Sequence, residues 1–139
     1  STLAALRSTL GRWQLNQRAF VNDPDVFILR QDHQKLSSIQ QNTVLTINAL
    51  LGGLLFTSDD LSAYSPEQLG ELEEALAWMG AQLLAVQETA PDFYQISFEK
   101  DGSAYVAYVN LDRKPALLEQ TKNGRIEIQP FETIILNRK

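Results

Sequence analysis

Two clusters of acidic residues carry the side chains most able to do chemistry. Asn22, Asp23 and Asp25 sit in Asn-Asp-Pro-Asp, directly ahead of the apolar run Val26-Phe27-Ile28-Leu29, and Ser58, Asp59 and Asp60 follow a second apolar run at residues 54–57. Carboxylates at the tips of buried strands are the raw material for cleaving a glycosidic bond. Two carboxyl groups about 5–5.5 Å apart suit a double displacement through a covalent intermediate, whereas about 6.5–9.5 Å leaves room for an attacking water. The same residue types also serve turns and caps, because Asp and Asn side chains accept hydrogen bonds from nearby backbone N–H groups.

The elements that would position these acids are legible as a rhythm. Leu3, Leu6, Leu10 and Trp13 recur at spacings of three and four, which predicts a helix ending near residues 17–20. Four consecutive apolar residues at 26–29 read as a short strand covered on both faces, as in a parallel sheet. Ser38 with Gln41 predicts a capping box opening a second helix, which carries Ile39, Val44, Leu45, Ile47, Leu50 and Leu51 and stops at Gly52-Gly53. A second strand follows at residues 54–57. Ser65-Pro66-Glu67-Gln68 then supplies an N-cap serine, a proline at the first helical position and a glutamine to complete a box, so a third helix is expected from Pro66 to about Leu84. Helix, strand, helix, strand, helix is the order of right-handed parallel βα units.

In an α/β barrel the loops after the strands build the active site and the turns before them stabilise. Asp59 and Asp60 follow their strand and are expected at the functional rim. Asp23 and Asp25 precede theirs if it starts at Val26, and follow it if pairing starts at residues 19–21; the sequence permits both.

After Pro91 the apolar period changes to two. Tyr94, Ile96 and Phe98 alternate with polar residues, Lys-Asp-Gly-Ser at 100–103 predicts a hairpin, and residues 105–109 form the return strand. Residues 116–119, a second hairpin signal Lys-Asn-Gly-Arg at 122–125, and residues 126–128 and 133–136 complete a small antiparallel module. The expected fold is therefore α/β followed by all-β, with a boundary that places residues 1–88 in the first part and 89–139 in the second.

Other candidates favour structural duty. His33, between Asp32 and Gln34, reads as a solvated loop residue. Trp13 and Trp78 lie on helical stripes and read as packing. Tyr94, Tyr105 and Tyr108 read as core and rim of the small sheet. Gly52-Gly53 has neither the lysine nor the spacing of a phosphate loop.

Composition narrows the partners. With 12 basic and 17 acidic residues the 139-residue chain carries a formal charge of -5, which argues against a nucleic-acid surface. There is no cysteine and one histidine, so neither a disulfide framework nor a histidine-rich metal site is expected, and no cofactor is implied. Apolar runs fall far short of the roughly 20 residues that span a bilayer. The absence of cysteine and of a visible leader favours the cytoplasm, although a chain that starts at Ser1 leaves upstream signals open.

Three segments together resemble a known family. Residues 18–30 (RAFVNDPDVFILR), 50–61 (LLGGLLFTSDDL) and 65–76 (SPEQLGELEEAL) look like the C-terminal end of the catalytic barrel of α-galactosidase-like glycoside hydrolases, closest to family 36. The paired motifs NDPD and SDDL at this spacing carry the likeness, which covers about residues 1–85. Residues 92–139 match the position and texture of the family's C-terminal β-sandwich.

The resemblance implies the last two βα units of a (β/α)8 TIM barrel, followed by a small antiparallel β-sandwich. It implies a retaining hydrolase of α-linked sugars in which two aspartates act as nucleophile and acid/base, both on earlier strands that would precede Ser1. No catalytic residue is therefore expected in this chain. Asn22, Asp23 and Asp25 would lie near the floor or wall of the pocket, and Ser58, Asp59 and Asp60 in its last-strand loop, all as supports. Two units cannot close an eight-stranded barrel, so self-association through open barrel edges is expected. The alternative is a non-catalytic module that binds carbohydrate or a protein partner.

Overall fold

The computed structural model describes residues 2–13, 27–52, 55–121 and 124–138. The chain divides into two compact units, Ser1–Ala81 and Gln82–Lys139.

In the first unit, α1 (Thr2–Gly11) and α3 (Pro66–Trp78) each pack against α2 (Ser38–Leu51). From Gln41 onward nearly every residue of α2 is buried, including Val44, Leu45, Ile47, Ala49, Leu50 and Leu51. Within the first unit α2 is covered on most of its circumference, with α1 and α3 both packed on it. Ile39, expected on its apolar face, lies in the first turn and is exposed.

The N-terminus of α2 differs from the expected box by one residue. Ser37 is the cap: its Oγ accepts the Gln40 N–H and the Gln40 side chain accepts the Ser37 N–H. Ser37 has the extended backbone a cap requires, with φ -68° and ψ 163°. The shift has a reason further in, because Gln41 is buried and donates to the Arg30 carbonyl at 2.8 Å. Gln41 is thereby a core residue and unavailable as a capping partner. At α3 the expected box is present, with Ser65 as cap, Pro66 at the first position and Gln68 reciprocating.

The two short strands of this unit meet as a single parallel bridge between Phe27 and Thr57, with the Phe27 N–H on the Phe56 carbonyl at 3.0 Å. The parallel sense agrees with βα units, but among the described residues one bridge stands where a ladder was expected, and most of the strand structure lies in the second unit.

Helix α3 is shorter than expected. It ends at Trp78 rather than near Leu84, with Met79 in extended conformation and Gly80 at φ 78°. Beyond it lies β1 (Gln82–Ala90), a strand without a sequence signal of its own. Two register shifts in its pairing, between Leu83 and Ala85 and between Glu88 and Ala90, break the alternation that would have marked it.

The second unit holds two antiparallel sheets. One has the order β1-β2-β3-β6, with β2 at Phe93–Lys100, β3 at Ser103–Asn110 and β6 at Thr133–Asn137; the other pairs β4 (Ala116–Thr121) with β5 (Gly124–Ile128). Asp101 and Gly102, at φ 51° and 80°, make the β2–β3 turn with both central residues left-handed, as the Asp-Gly signal predicts. The register places Tyr94, Ile96 and Phe98 opposite Val109, Ala107 and Tyr105, and these residues of β2 are buried. Phe98 and Tyr105 stack with ring centroids 5.5 Å apart.

Candidate functional site

Of the six candidate residues, Asn22, Asp23 and Asp25 lie outside the described residues. Ser58, Asp59 and Asp60 follow the bridge residue Thr57, as the sequence predicts, and they diverge sharply in role.

Asp59 turns inward. Its side chain is 1% exposed, and its two oxygens are committed to the neighbouring strand end and to the segment that follows. Oδ2 accepts the Leu29 N–H at 2.6 Å, the Arg30 N–H at 3.2 Å and the Tyr64 hydroxyl at 2.6 Å. Oδ1 accepts from Arg30 Nη1 at 2.8 Å, an ion pair. The Asp59 N–H in turn donates to Thr57 Oγ1 at 3.1 Å. One carboxylate thus ties the end of the segment 27–30, the loop after Thr57 and the approach to α3.

The electrostatics follow from this geometry. Burial pushes the Asp59 carboxyl up, but the Tyr64 hydroxyl, the two backbone N–H groups and the Arg30 guanidinium outweigh it and hold the group below its ordinary value. Tyr64 is pushed up to about 12, first by burial and then by its hydrogen bond to Asp59. At neutral pH the pair is a carboxylate accepting from a neutral phenol, a charge-assisted bond.

Asp60 points outward and caps a short 3-10 turn (Leu61–Ala63), accepting the Ser62 N–H at 3.0 Å and the Ser62 hydroxyl at 2.7 Å. Those two bonds, the hydroxyl first, hold its carboxyl below its ordinary value. Ser58 Oγ accepts from Arg30 Nη1 at 3.3 Å.

Residues that the sequence marked only as helix caps, or not at all, complete the assembly. The Leu29 carbonyl accepts from Gln68 Nε2 at 2.6 Å and from Gln31 Nε2 at 3.2 Å, and Gln31 also donates to Gln41 Oε1 at 3.0 Å. Gln68 therefore caps α3 with its oxygen and fastens the end of the segment 27–30 with its nitrogen. The one signal for Arg30 was its place closing the apolar run; nothing local marks Tyr64, and Gln41 was marked only as a capping partner.

Chemically, Asp59 is engaged in four hydrogen bonds within the protein, which fasten the end of the segment 27–30 to the loop after Thr57. His33 is solvated, with its side chain 90% exposed. Among the described residues there is no cluster of three metal-ligating side chains, and no helix is long and apolar enough to cross a membrane.

No family model matches the sequence. Solved structures do match the fold. The wild-type GH27 β-L-arabinopyranosidase of Geobacillus stearothermophilus aligns over 97% of this chain with a TM-score of 0.69 and 14% identity. A variant of that enzyme in complex with arabinose aligns over 96% with a TM-score of 0.66 and 15% identity. The chain has the fold of part of a GH27 glycosidase. It spans 40% of the length of those chains. The glycosidase-like fold accords with the resemblance drawn from NDPD and SDDL at the level of glycoside hydrolases, but these neighbours belong to family GH27 and do not single out family 36.

Proposed function

We propose that the chain is the closing part of a retaining glycoside hydrolase acting on terminal α-galactosides: the last two βα units of a (β/α)8 barrel, followed by the β module. The observation that carries this reading is the fold match over nearly the whole chain to less than half of a GH27 glycosidase, combined with a parallel bridge whose two strand ends are locked together by Asp59. In such a barrel substrate lies beyond the strand ends. Asp59 would keep two of those ends in register, Ser58 and Asp60 would shape the rim beside it, and Asn22, Asp23 and Asp25 would line the neighbouring wall.

The bond-breaking groups are supplied from outside these 139 residues. A nucleophilic aspartate attacks the anomeric carbon while a second carboxylic acid protonates the departing oxygen; water then cleaves the glycosyl ester with the second group acting as base. The GH27 neighbours are β-L-arabinopyranosidases, and β-L-arabinopyranose has the ring configuration of α-D-galactopyranose without its hydroxymethyl group. The choice between these two sugars rests on whether a pocket has room for that group.

An incomplete barrel leaves apolar surface to cover. Phe56, Leu61, Leu69 and Leu76 of the first unit are each between 42% and 48% exposed, which supports self-association of the isolated chain. The function is tested by assaying the isolated chain and the protein from the full reading frame on an aryl α-galactoside. Turnover by the longer protein alone supports the reading; turnover by the isolated chain that is lost in Asp59→Asn refutes it.

A further inference from the structure

We propose that the β unit carries its own sugar-binding cleft, formed between the β1–β2 turn and the loop after β3, that takes a single neutral pyranose. This site does not rest on the catalytic reading. The cleft has a volume of about 300 Å³, at the lower end for small-molecule sites. Its walls combine the Phe93 ring and the apolar surfaces of Pro91, Pro115 and Leu117 with two charged side chains, Asp112 and Lys114.

The cleft is built rather than incidental. Asn110, 1% exposed, braces its floor: Nδ2 donates to the Lys114 carbonyl at 2.8 Å and to the Ile128 and Gln129 carbonyls at 3.2 Å each, while Oδ1 accepts the Asp112 N–H at 3.0 Å. The Leu111 N–H donates to the Asp92 carbonyl at 2.8 Å, which fastens the loop to the β1–β2 turn across the cleft. Phe93 is set by its stacking on Tyr108, with centroids 6.3 Å apart. Both walls are therefore held before any ligand arrives, which lowers the ordering cost of binding.

The chemistry selects the ligand class. Asp112 Oδ1 accepts the Arg113 N–H, and among the described residues nothing donates to its Oδ2. Lys114 has no carboxylate partner among the described residues. One acceptor-only group and one donor-only group suit the hydroxyls of a sugar, each of which both donates and accepts. The two charges cancel, so an anion such as a phosphate meets the Asp112 carboxylate as well as the ammonium. An aromatic face beside them suits the apolar C–H face of a pyranose.

Saturation-transfer difference NMR on the full 139-residue chain tests this, using D-galactose, L-arabinose and D-glucose in turn, with glycine and inorganic phosphate as charged competitors. At least one sugar is expected to give a saturable signal with a Kd on the order of millimolar, weakened about tenfold in Asp112→Asn and in Lys114→Gln. Both substitutions are at surface side chains, and unchanged melting temperatures confirm that the variants fold. Absence of a signal for all three sugars up to about 100 mM overturns the proposal, because binding weaker than that gives no useful occupancy. A sugar signal that both variants leave unchanged, or one abolished by glycine or phosphate at a concentration below that of the sugar, also overturns it.

Discussion

Tyr64 donates its hydroxyl to Asp59 Oδ2 at 2.6 Å, on the same oxygen that receives the Leu29 and Arg30 N–H groups. A carboxylate expected at the rim of a sugar pocket is thus the knot of a backbone junction. Asp59→Ala leaves two backbone donors and a phenol without their acceptor, so a loss of about 3 kcal/mol in unfolding free energy is expected. Because Arg30 is one-third exposed and its charge reaches water, the loss should come mainly from the N–H and phenol donors. Asp59→Asn, which keeps one carbonyl oxygen, should lose about half as much. Urea denaturation of the variants measures both.

The same knot sets the pH dependence of stability. The Asp59 carboxyl is depressed in the folded chain, so its contribution is fully present above the unfolded value of about 4 and is lost as pH falls through the lower folded value. Tyr64 is raised to about 12, so its contribution is fully present below about pH 10 and is lost between there and about pH 12. Unfolding free energy measured across pH should show both limbs. Asp59→Asn should flatten the acid limb, and Tyr64→Phe the alkaline one.

The two capping boxes look alike but should respond differently. Ser37→Ala and Ser65→Ala are each expected to cost about 1 kcal/mol, and Ser38→Ala close to nothing. Gln68→Ala should cost more than Gln40→Ala by about 1 kcal/mol, because Gln68 Nε2 also holds the Leu29 carbonyl. Equal costs for the two glutamines would show that the long-range bond contributes little.

Self-association has a direct readout. Light scattering on the isolated chain should give a mass above 15.6 kDa that rises with concentration, and Leu69→Glu with Leu76→Glu should shift it toward monomer. A monomer that binds no hydrophobic dye would contradict the open-edge account.

Much of this arrangement was legible locally. The Ser65 box, the Asp-Gly turn and the alternation of Tyr94, Ile96 and Phe98 each depend on residues a few positions apart, and each formed as expected. What escaped the sequence depends on distance. Gln41 as a core donor, Tyr64 as a partner of Asp59 and Gln68 as a clamp on Leu29 are fixed by tertiary contacts that no spacing encodes. Strand β1 was hidden for a different reason, since its bulges erased the period that identifies strands. For Asp59 and Asp60, residue type and position after the strand were readable, but the direction each side chain faces was not. Asp59 inward and Asp60 outward is a difference made by Arg30 and Tyr64 on one side and Ser62 on the other.

We propose that these 139 residues support a glycosidase site whose catalytic carboxylates lie elsewhere in the parent enzyme. Turnover of an aryl α-galactoside by the isolated chain, beside the protein encoded by the full reading frame, tests it most directly. The account predicts hydrolysis by the full protein and none by the chain. Hydrolysis by the isolated chain that disappears in Asp59→Asn, or a full-length protein inactive on both α-galactosides and β-L-arabinopyranosides, would contradict it.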